Sequence, residues 1–283
     1  MRMYQVDAFS PVLFQGNPAA VIVLQQWLSD TVMQQIAAEN NLAETAFVKI
    51  IDAVNYEIRW FSPKVEVAFC GHATLASAYV LFKDYSQASQ LQFHVKDLGV
   101  FTVQQAADGR IDMDFPIRQA EVLLDYPAQI HQAIDREILG VYINAQAYIL
   151  LCASAQDVRD ATPNFELIAA LAQQQHCHTA ITGSTTSEHL DVAITAAVSD
   201  TDHTAYDYVA RYFAPHIGIH EDPVTGSLHT ALAPFWAERL GKTALCAYQA
   251  SARGGTLYCE ILNAQRVQIS GYACLYMQAE LNI

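Results

Sequence analysis

An internal repeat constrains this chain more than any other feature. Arg59-Trp60-Phe61-Ser62-Pro63 is answered by Arg211-Tyr212-Phe213-Ala214-Pro215. Beyond each pentad a glycine opens an apolar helix: Cys70-Gly71-His72-Ala73-Thr74-Leu75 in the first half, Thr225-Gly226-Ser227-Leu228-His229-Thr230 in the second. The arginines lie 152 positions apart and the glycines 155, so one three-residue insertion relates the two landmarks. Two landmarks in one order at nearly one offset point to homologous halves. The 283 residues are enough for two cores of the usual size, about 100–150 residues each.

Patterning fills in each half. Strands are predicted at 2–9 and 18–24 around the turn-like Phe14-Gln15-Gly16-Asn17-Pro18. Ser29 should cap a helix carrying Leu28, Val32, Met33, Ile36 and Ala37 at helical spacing to about Asn40. Strands at 45–51 and 54–61 precede a helix from His72 to Phe82 that is apolar on nearly every face and therefore buried. Strands at 90–95, 99–105 and 110–115 follow, the last two joined by the hairpin signal Asp108-Gly109. The second half reads as a helix at 127–139 ended by Gly140, a strand at 141–152, a helix at 165–175 and strands at 178–183 and 189–198. A long helix then runs from Ser227 to Gly241 with a kink expected at Pro234, and strands complete the chain. One strongly apolar helix per half among many strands predicts an α+β fold of two pseudo-symmetric domains, each a curled mostly antiparallel sheet wrapped around a central helix. The apolar tail Tyr272-Ala273-Cys274-Leu275-Tyr276-Met277 is too long to leave exposed, so residues 272–283 are expected to rejoin residues 1–117, leaving 118–271 as the second domain.

Charge and cysteine usage narrow the partners. With 15 Lys+Arg against 29 Asp+Glu the formal net charge is −14, which repels nucleic acid and anionic membranes. An anionic substrate would have to be held by local donors such as helix N-termini. No apolar stretch approaches the roughly 18 residues of a membrane helix, and Met1-Arg2-Met3-Tyr4-Gln5-Val6-Asp7 lacks the apolar run of a signal peptide. Cys70, Cys152, Cys177, Cys246, Cys259 and Cys274 are scattered without a CxxC pair or metal-ligand spacing, as expected of reduced core thiols in a cytoplasmic protein.

A glycine that opens a helix gathers unpaired N–H groups and the positive end of the helix dipole at one point. Two such ends, at Gly71 and Gly226, would clamp the carboxylates of a small substrate if they faced each other between the domains. Four segments then carry a resemblance in order: Phe14-Gln15-Gly16-Asn17-Pro18-Ala19-Ala20-Val21, Asn41-Leu42-Ala43-Glu44-Thr45-Ala46-Phe47, Phe69-Cys70-Gly71-His72-Ala73-Thr74 and Glu221-Asp222-Pro223-Val224-Thr225-Gly226-Ser227. Together they resemble the signature segments of the PhzF-like (phenazine biosynthesis isomerase-like) family over nearly the whole chain. The resemblance implies a diaminopimelate epimerase-like fold, a homodimer, no cofactor and no metal. It also implies Glu44 as the general acid/base, with Asn17, Gly71, His72, Asp222, Gly226 and Ser227 contacting a small anionic metabolite.

Local chemistry adds two expectations. Flanked by Leu42, Ala43, Ala46 and Phe47, Glu44 should be desolvated and its pKa raised. Related diaminopimelate epimerases use two opposed cysteines, whereas here Cys70 fills the first position and Thr225 the second. A two-thiol mechanism therefore fails, and a single-carboxylate proton shuttle is preferred. Cys70 is either a core thiol or, before a helix N-terminus, a thiol of lowered pKa. Two other readings compete. One is a metal-dependent lyase or hydrolase built on His216, His220, Glu221, Asp222 and His229, or on His176-Cys177-His178; the other is a binding scaffold without turnover.

Overall fold

The computed structural model describes residues 1–173, 189–199, 202 and 204–283. Two compact units emerge: Met1–Phe115 together with Gln268–Ile283, and Pro116–Val267. Among the described residues no helix is long and apolar enough to cross a membrane.

The first unit contains β1 (Arg2–Ala8), β2 (Asn17–Leu24), α1 (Asp30–Asn40), β3 (Glu44–Ile50), β4 (Asn55–Phe61), β5 (Glu66–Val67), α2 (Gly71–Asp84), β6 (Gln90–Val95), β7 (Gly99–Gln105) and most of β8 (Ile111–Pro116). Pairing alternates in direction: β1–β2 antiparallel, β2–β3 parallel, β3–β4 antiparallel, β4–β6 parallel, β6–β7 antiparallel. Each parallel step needs a crossover, and α1 and α2 supply them. Ser29 Oγ accepts from Val32 N at the start of α1, and Asn41 ends it in the left-handed region at φ 49°. Met33, Ile36 and Ala37 then pack with Ile22, Phe47 and Phe61.

The helix α2 is buried on almost all sides. Ala73, Ala76, Ser77 and Ala78 are small enough for β1, β2 and β3 to approach it closely, and Leu75, Val80 and Leu81 fill the remaining space. Its buried hydroxyls are satisfied on its own turns, Thr74 Oγ1 donating to Cys70 O at 2.6 Å and Ser77 Oγ to Ala73 O at 2.7 Å.

The second unit contains β9 (Glu121–Val122), β10 (Ile138–Ile143), β11 (Ala147–Cys152), α3 (Ala155–Asp160), α4 (Phe165–Ala172), β12 (Asp191–Ala197), β13 (Tyr208–Phe213), α5 (Gly226–Leu240), β14 (Ala244–Gln249) and β15 (Gly255–Ile261). The chain returns to the first unit through β16 (Arg266–Gly271) and β17 (Ala273–Glu280). There β17 runs antiparallel to β1, from Arg2↔Glu280 to Ala8↔Ala273. The run β10–β11–β12–β13–β14–β15 repeats the directions of β1–β2–β3–β4–β6–β7 step for step. Its buried helix is α5, which packs on β14 and β15 and donates from Trp236 Nε1 to Thr195 Oγ1 of β12 at 2.9 Å.

The repeated arginines explain where the extra three residues lie. Arg59 grips Glu66 through Nε (2.7 Å) and Nη2 (2.6 Å), and Arg211 grips Glu221 through Nε (2.7 Å) and Nη2 (3.0 Å). From each glutamate to its helix-opening glycine the distance is five positions, so the insertion falls between Pro215 and Glu221. A short 3-10 turn, Pro215–Ile217, occupies it.

Three expectations in this unit require correction. The helix at 127–139 is only a 3-10 turn, Ala128–Gln132; the helical spacing of Ile130, Ala133 and Ile134 belongs to a single packed turn, and Gly140 lies inside β10. The strand at 141–152 is a hairpin, because Asn144 Oδ1 accepts from both Gln146 N (2.9 Å) and Ala147 N (2.8 Å) and turns the chain. A helix absent from the expectation, α3, is capped by Ser154 Oγ. The strand at 178–183 and His176-Cys177-His178 lie outside the described residues.

Candidate active site

Four side chains of the first unit converge because three elements start together. Asn17 opens β2 and Glu44 opens β3; the parallel register sets Ala19 beside Glu44, which brings the two strand starts side by side. Cys70 is the N-cap residue of α2, and His72 is the second residue of that helix. His72 Nε2 lies 3.1 Å from Glu44 Oε2, while Asn17 Nδ2 and Cys70 Sγ lie 3.2 and 3.5 Å from His72 Nδ1. The side chains of His72 and Glu44 are only 7% and 15% exposed. Glu44 Oε2 has no aligned hydrogen-bond donor, so its contact with the imidazole is an ion-pair approach that leaves a lone pair available.

Electrostatics overturn the expected upward shift of Glu44. Burial does push its pKa up, but the close approach and charge of His72, with a contribution from Cys70, outweigh burial and hold it below the ordinary value. The flanking apolar residues were a correct sign of desolvation; the decisive cation comes from α2, 28 positions along the chain. For His72, burial disfavours the imidazolium, yet Cys70 and Glu44 raise its pKa well above 6.5. Cys70 itself is pushed up to about 11 by burial and by the Glu44 charge, so near neutrality it is a thiol and Glu44 is the anion that supports His72. The reading of Cys70 as a thiol of lowered pKa is thereby corrected: desolvation outweighs the helix start.

Glu44, Cys70 and His72 also present ligand atoms within 4.8 Å of one another, and thiolate, imidazole and carboxylate suit zinc. Metal binding would have to strip protons from a thiol and an imidazolium that this environment protects. The other metal candidates are dispersed. Glu221 is committed to Arg211, His220 stacks on Phe165 at 4.6 Å, and His216 Nδ1 faces Asp191 at 3.2 Å. His229 contacts Tyr208 Oη at 2.8 Å, and burial pushes its pKa down to about 4.

In the second unit Thr225 takes the N-cap position of α5, and its hydroxyl donates to Asp222. Gln249 ties this start down, accepting from Thr225 N at 2.8 Å and donating to Asp222 O at 2.9 Å. Gly226 is the first residue of α5, and Ser227 Oγ accepts from Gln146 Nε2 at 2.9 Å. Gln146 Nε2 also reaches Tyr212 Oη at 2.8 Å, and Tyr212 Oη donates to Asp191. Burial pushes Asp191 up to about 7. Gln146, Tyr212 and Asp191 were not anticipated as site residues. The signal was present in the repeat, since Arg211 faces Ile194, three places after Asp191, just as Arg59 faces Phe47, three places after Glu44.

Comparison with known proteins agrees with this architecture. The family model described as phenazine biosynthesis-like protein (PhzC-PhzF) matches residues 6–279. A Pseudomonas aeruginosa protein named as an uncharacterized isomerase is 40% identical over 287 residues, covering 100% of this chain and 99% of its own. The crystal structure of a PhzF-family phenazine biosynthesis protein from Enterococcus faecalis superposes with a TM-score of 0.87 at 37% identity, over 100% of this chain and 99% of that one. A probable proline racemase from Agrobacterium radiobacter, at 10% identity and a TM-score of 0.61 over 100% and 93% of the two chains, shares the fold. The α+β fold is thus diaminopimelate epimerase-like, and the relatives named as isomerases support an isomerase type of function. On the match of the family model across nearly its whole length, the chain belongs to the phenazine biosynthesis-like (PhzC-PhzF) family.

Proposed function

We propose that the chain is a cofactor-independent isomerase that moves a proton on a small carboxylate-bearing substrate, with Glu44 as the shuttle. The observation that carries this reading is the buried Glu44 carboxylate, ionised beside His72 and with no aligned donor on Oε2. As a base it takes a proton from a carbon of the substrate; the C–H bond breaks and its electron pair enters an enolate-like system. The protonated Glu44, whose carboxyl proton exchanges with solvent during turnover, then protonates a second carbon on the same face, and the double bond shifts. The imidazolium of His72 keeps the resting carboxylate ionised, and backbone N–H groups at Gly71 stabilise developing negative charge. By the internal repeat, Asp222, Gly226 and Ser227 are proposed to hold the substrate's polar groups.

Incubating candidate carboxylic acids with the protein in D₂O tests this directly. A substrate should acquire deuterium at carbon, and Glu44→Gln should lower exchange by at least about 10², the usual worth of general acid/base help. Cys70→Ser should lose far less, since its thiol stays protonated. Full activity in Glu44→Gln with none in Cys70→Ser would assign the chemistry to the thiol. A binding scaffold would place no deuterium in any ligand it holds. A different metal reading, on the 4.8 Å grouping of Glu44, Cys70 and His72 in place of the second-unit histidines, predicts loss of exchange after chelation with recovery on adding zinc.

A further inference from the structure

In the second unit the position equivalent to Glu44 carries another buried carboxyl. Glu44 is the first residue of β3 and pairs in parallel with Ala19; Asp191 is the first residue of β12 and pairs in parallel with Ala147. Phe61 faces Thr45 one place after Glu44, and Phe213 faces Val192 one place after Asp191. The registers make the two residues counterparts, although their side chains differ in length and lie 147 positions apart. The counterpart of His72 is Ser227, each following the glycine that opens its helix. A serine cannot pair with a carboxylate as an imidazolium does, so Asp191 takes a different partner, the phenol of Tyr212.

We propose that Asp191 acts through Tyr212 and Gln146 as a positioning residue, holding Ser227 as a hydrogen-bond donor toward an anionic oxygen of the ligand. The direction of each bond follows from counting protons. Tyr212 has one hydroxyl proton, and once Asp191 is ionised, above the value of about 7 to which burial raises it, that proton goes to Asp191 Oδ2. Its oxygen must therefore accept from Gln146, which fixes the amide with Nε2 toward Tyr212 at 2.8 Å. The second hydrogen on Nε2 goes to Ser227 Oγ at 2.9 Å. With its lone pair occupied in this way, Ser227 directs its own proton elsewhere. Were the amide reversed, its oxygen would face the Tyr212 oxygen with no proton between them. As long as Asp191 accepts from Tyr212, reversal is disfavoured, and a ligand at Ser227 meets a donor.

The ligand group selected is then a carboxylate, sulfate or phosphate oxygen, not an ammonium or amide N–H. This selectivity stems from local proton order, in a chain whose overall charge of −14 opposes anions. Asp222 and His189 contribute opposing fields at Asp191, and His216 Nδ1 stands 3.2 Å from its Oδ1 without an aligned hydrogen bond.

The inference rests on Ser227 being a ligand contact, as in the proposed function, but its test needs no turnover. Sulfate is titrated into isotope-labelled protein at about pH 8.5, where Asp191 is ionised, at constant ionic strength against chloride, and the Gly226 and Ser227 backbone amides are followed by NMR. The wild-type chain should show saturable shifts there. Asp191→Asn supplies an amide that can donate to the Tyr212 oxygen, so the phenol can turn toward Gln146 and the amide can reverse. Sulfate should then bind at least about threefold more weakly, part of the roughly tenfold or more that one charge-assisted bond is worth. Removing a negative charge would by electrostatics alone tighten sulfate binding, so the sign separates positioning from field or general structural effects. Tyr212→Phe, which cannot fix the amide at all, should weaken sulfate similarly. Sulfate bound equally or more tightly by both variants would overturn the proposal, as would an absence of shifts at Ser227 in the wild type. Deuterium exchange without these sulfate effects would leave the isomerase reading standing and remove only this one, and the converse result would do the reverse.

Discussion

His72, with Cys70, holds the pKa of Glu44 below its ordinary value, since burial alone would drive it the other way. Replacing His72 with Asn should let burial dominate and shift the acid limb of the exchange rate to higher pH, a change readable in a pH–rate profile with any exchanged substrate. Stability carries the same signature with signs that can be worked out. Glu44, with its folded pKa depressed, stabilises above its unfolded value near 4.5, and that contribution fades as pH falls through the folded pKa. His72, with its folded pKa raised, stabilises below 6.5, and that contribution fades as pH rises through the folded pKa. Denaturation midpoints should therefore show the largest advantage of wild type over a Glu44→Gln/His72→Asn double variant between pH 4.5 and 6.5, shrinking on both sides. An advantage that is flat across pH would mean the pair is not charged. Much of this cluster was legible from motifs: Asn17, Glu44, Cys70 and His72 were each marked, and the structure brings them together. The sign of the Glu44 shift was not legible, because neighbours in the chain report desolvation while the cation arrives from another element.

At the scale of elements, the strongest periodic segments were the easiest to read. Ser29 and Asn41 bound α1, and Gly241 in the left-handed region ends α5, which runs through Pro234 without a break in its assignment. Misreadings fell where one side chain redirects the backbone. Asn144 supplies an oxygen to two backbone N–H groups between β10 and β11, a local event with no hydrophobic period to reveal it. Asn144→Ala should strip both of their acceptor and cost about 1–3 kcal/mol, the penalty of leaving buried donors unsatisfied. Urea titration checks this, and a loss below about 0.5 kcal/mol, within the range of ordinary surface changes, would show that the turn is set by the strands alone. Asp191 escaped notice for a related reason: a short carboxyl at a strand start resembles a solvated turn residue until the register shows what it parallels.

For the molecule as a whole, the return of the C-terminal segment matters most. β17 covers one side of β1 along its full length, so a chain truncated after Tyr272 would leave the backbone of a central, apolar strand as an open edge. Such a chain should aggregate on size-exclusion chromatography and lose its cooperative unfolding transition, whereas substituting the exposed Met277 with Lys should do neither. A monodisperse truncated chain with an unchanged midpoint would mean that β1 is held by β2 and α2 alone. The twofold repeat was visible from one pentad and one glycine per half, but the alternating strand directions needed coordinates, because hydrophobic pattern does not encode which neighbour a strand chooses.

The two arginine forks bear on how this architecture can change. In each half an arginine grips a glutamate five positions ahead of the helix-opening glycine, while the stretch between the repeated proline, Pro63 or Pro215, and that glutamate differs by three residues. The fork acts as an anchor bolt and the loop before it as slack, so length added on the slack side is absorbed before it reaches the helix start. The chain thus contains its own length-variation experiment. The slack stretch is itself packed, with His216 Nδ1 3.2 Å from Asp191 Oδ1 and His220 stacked on Phe165 at 4.6 Å, so length added there leaves the register of Ser227 in place only where those contacts re-form.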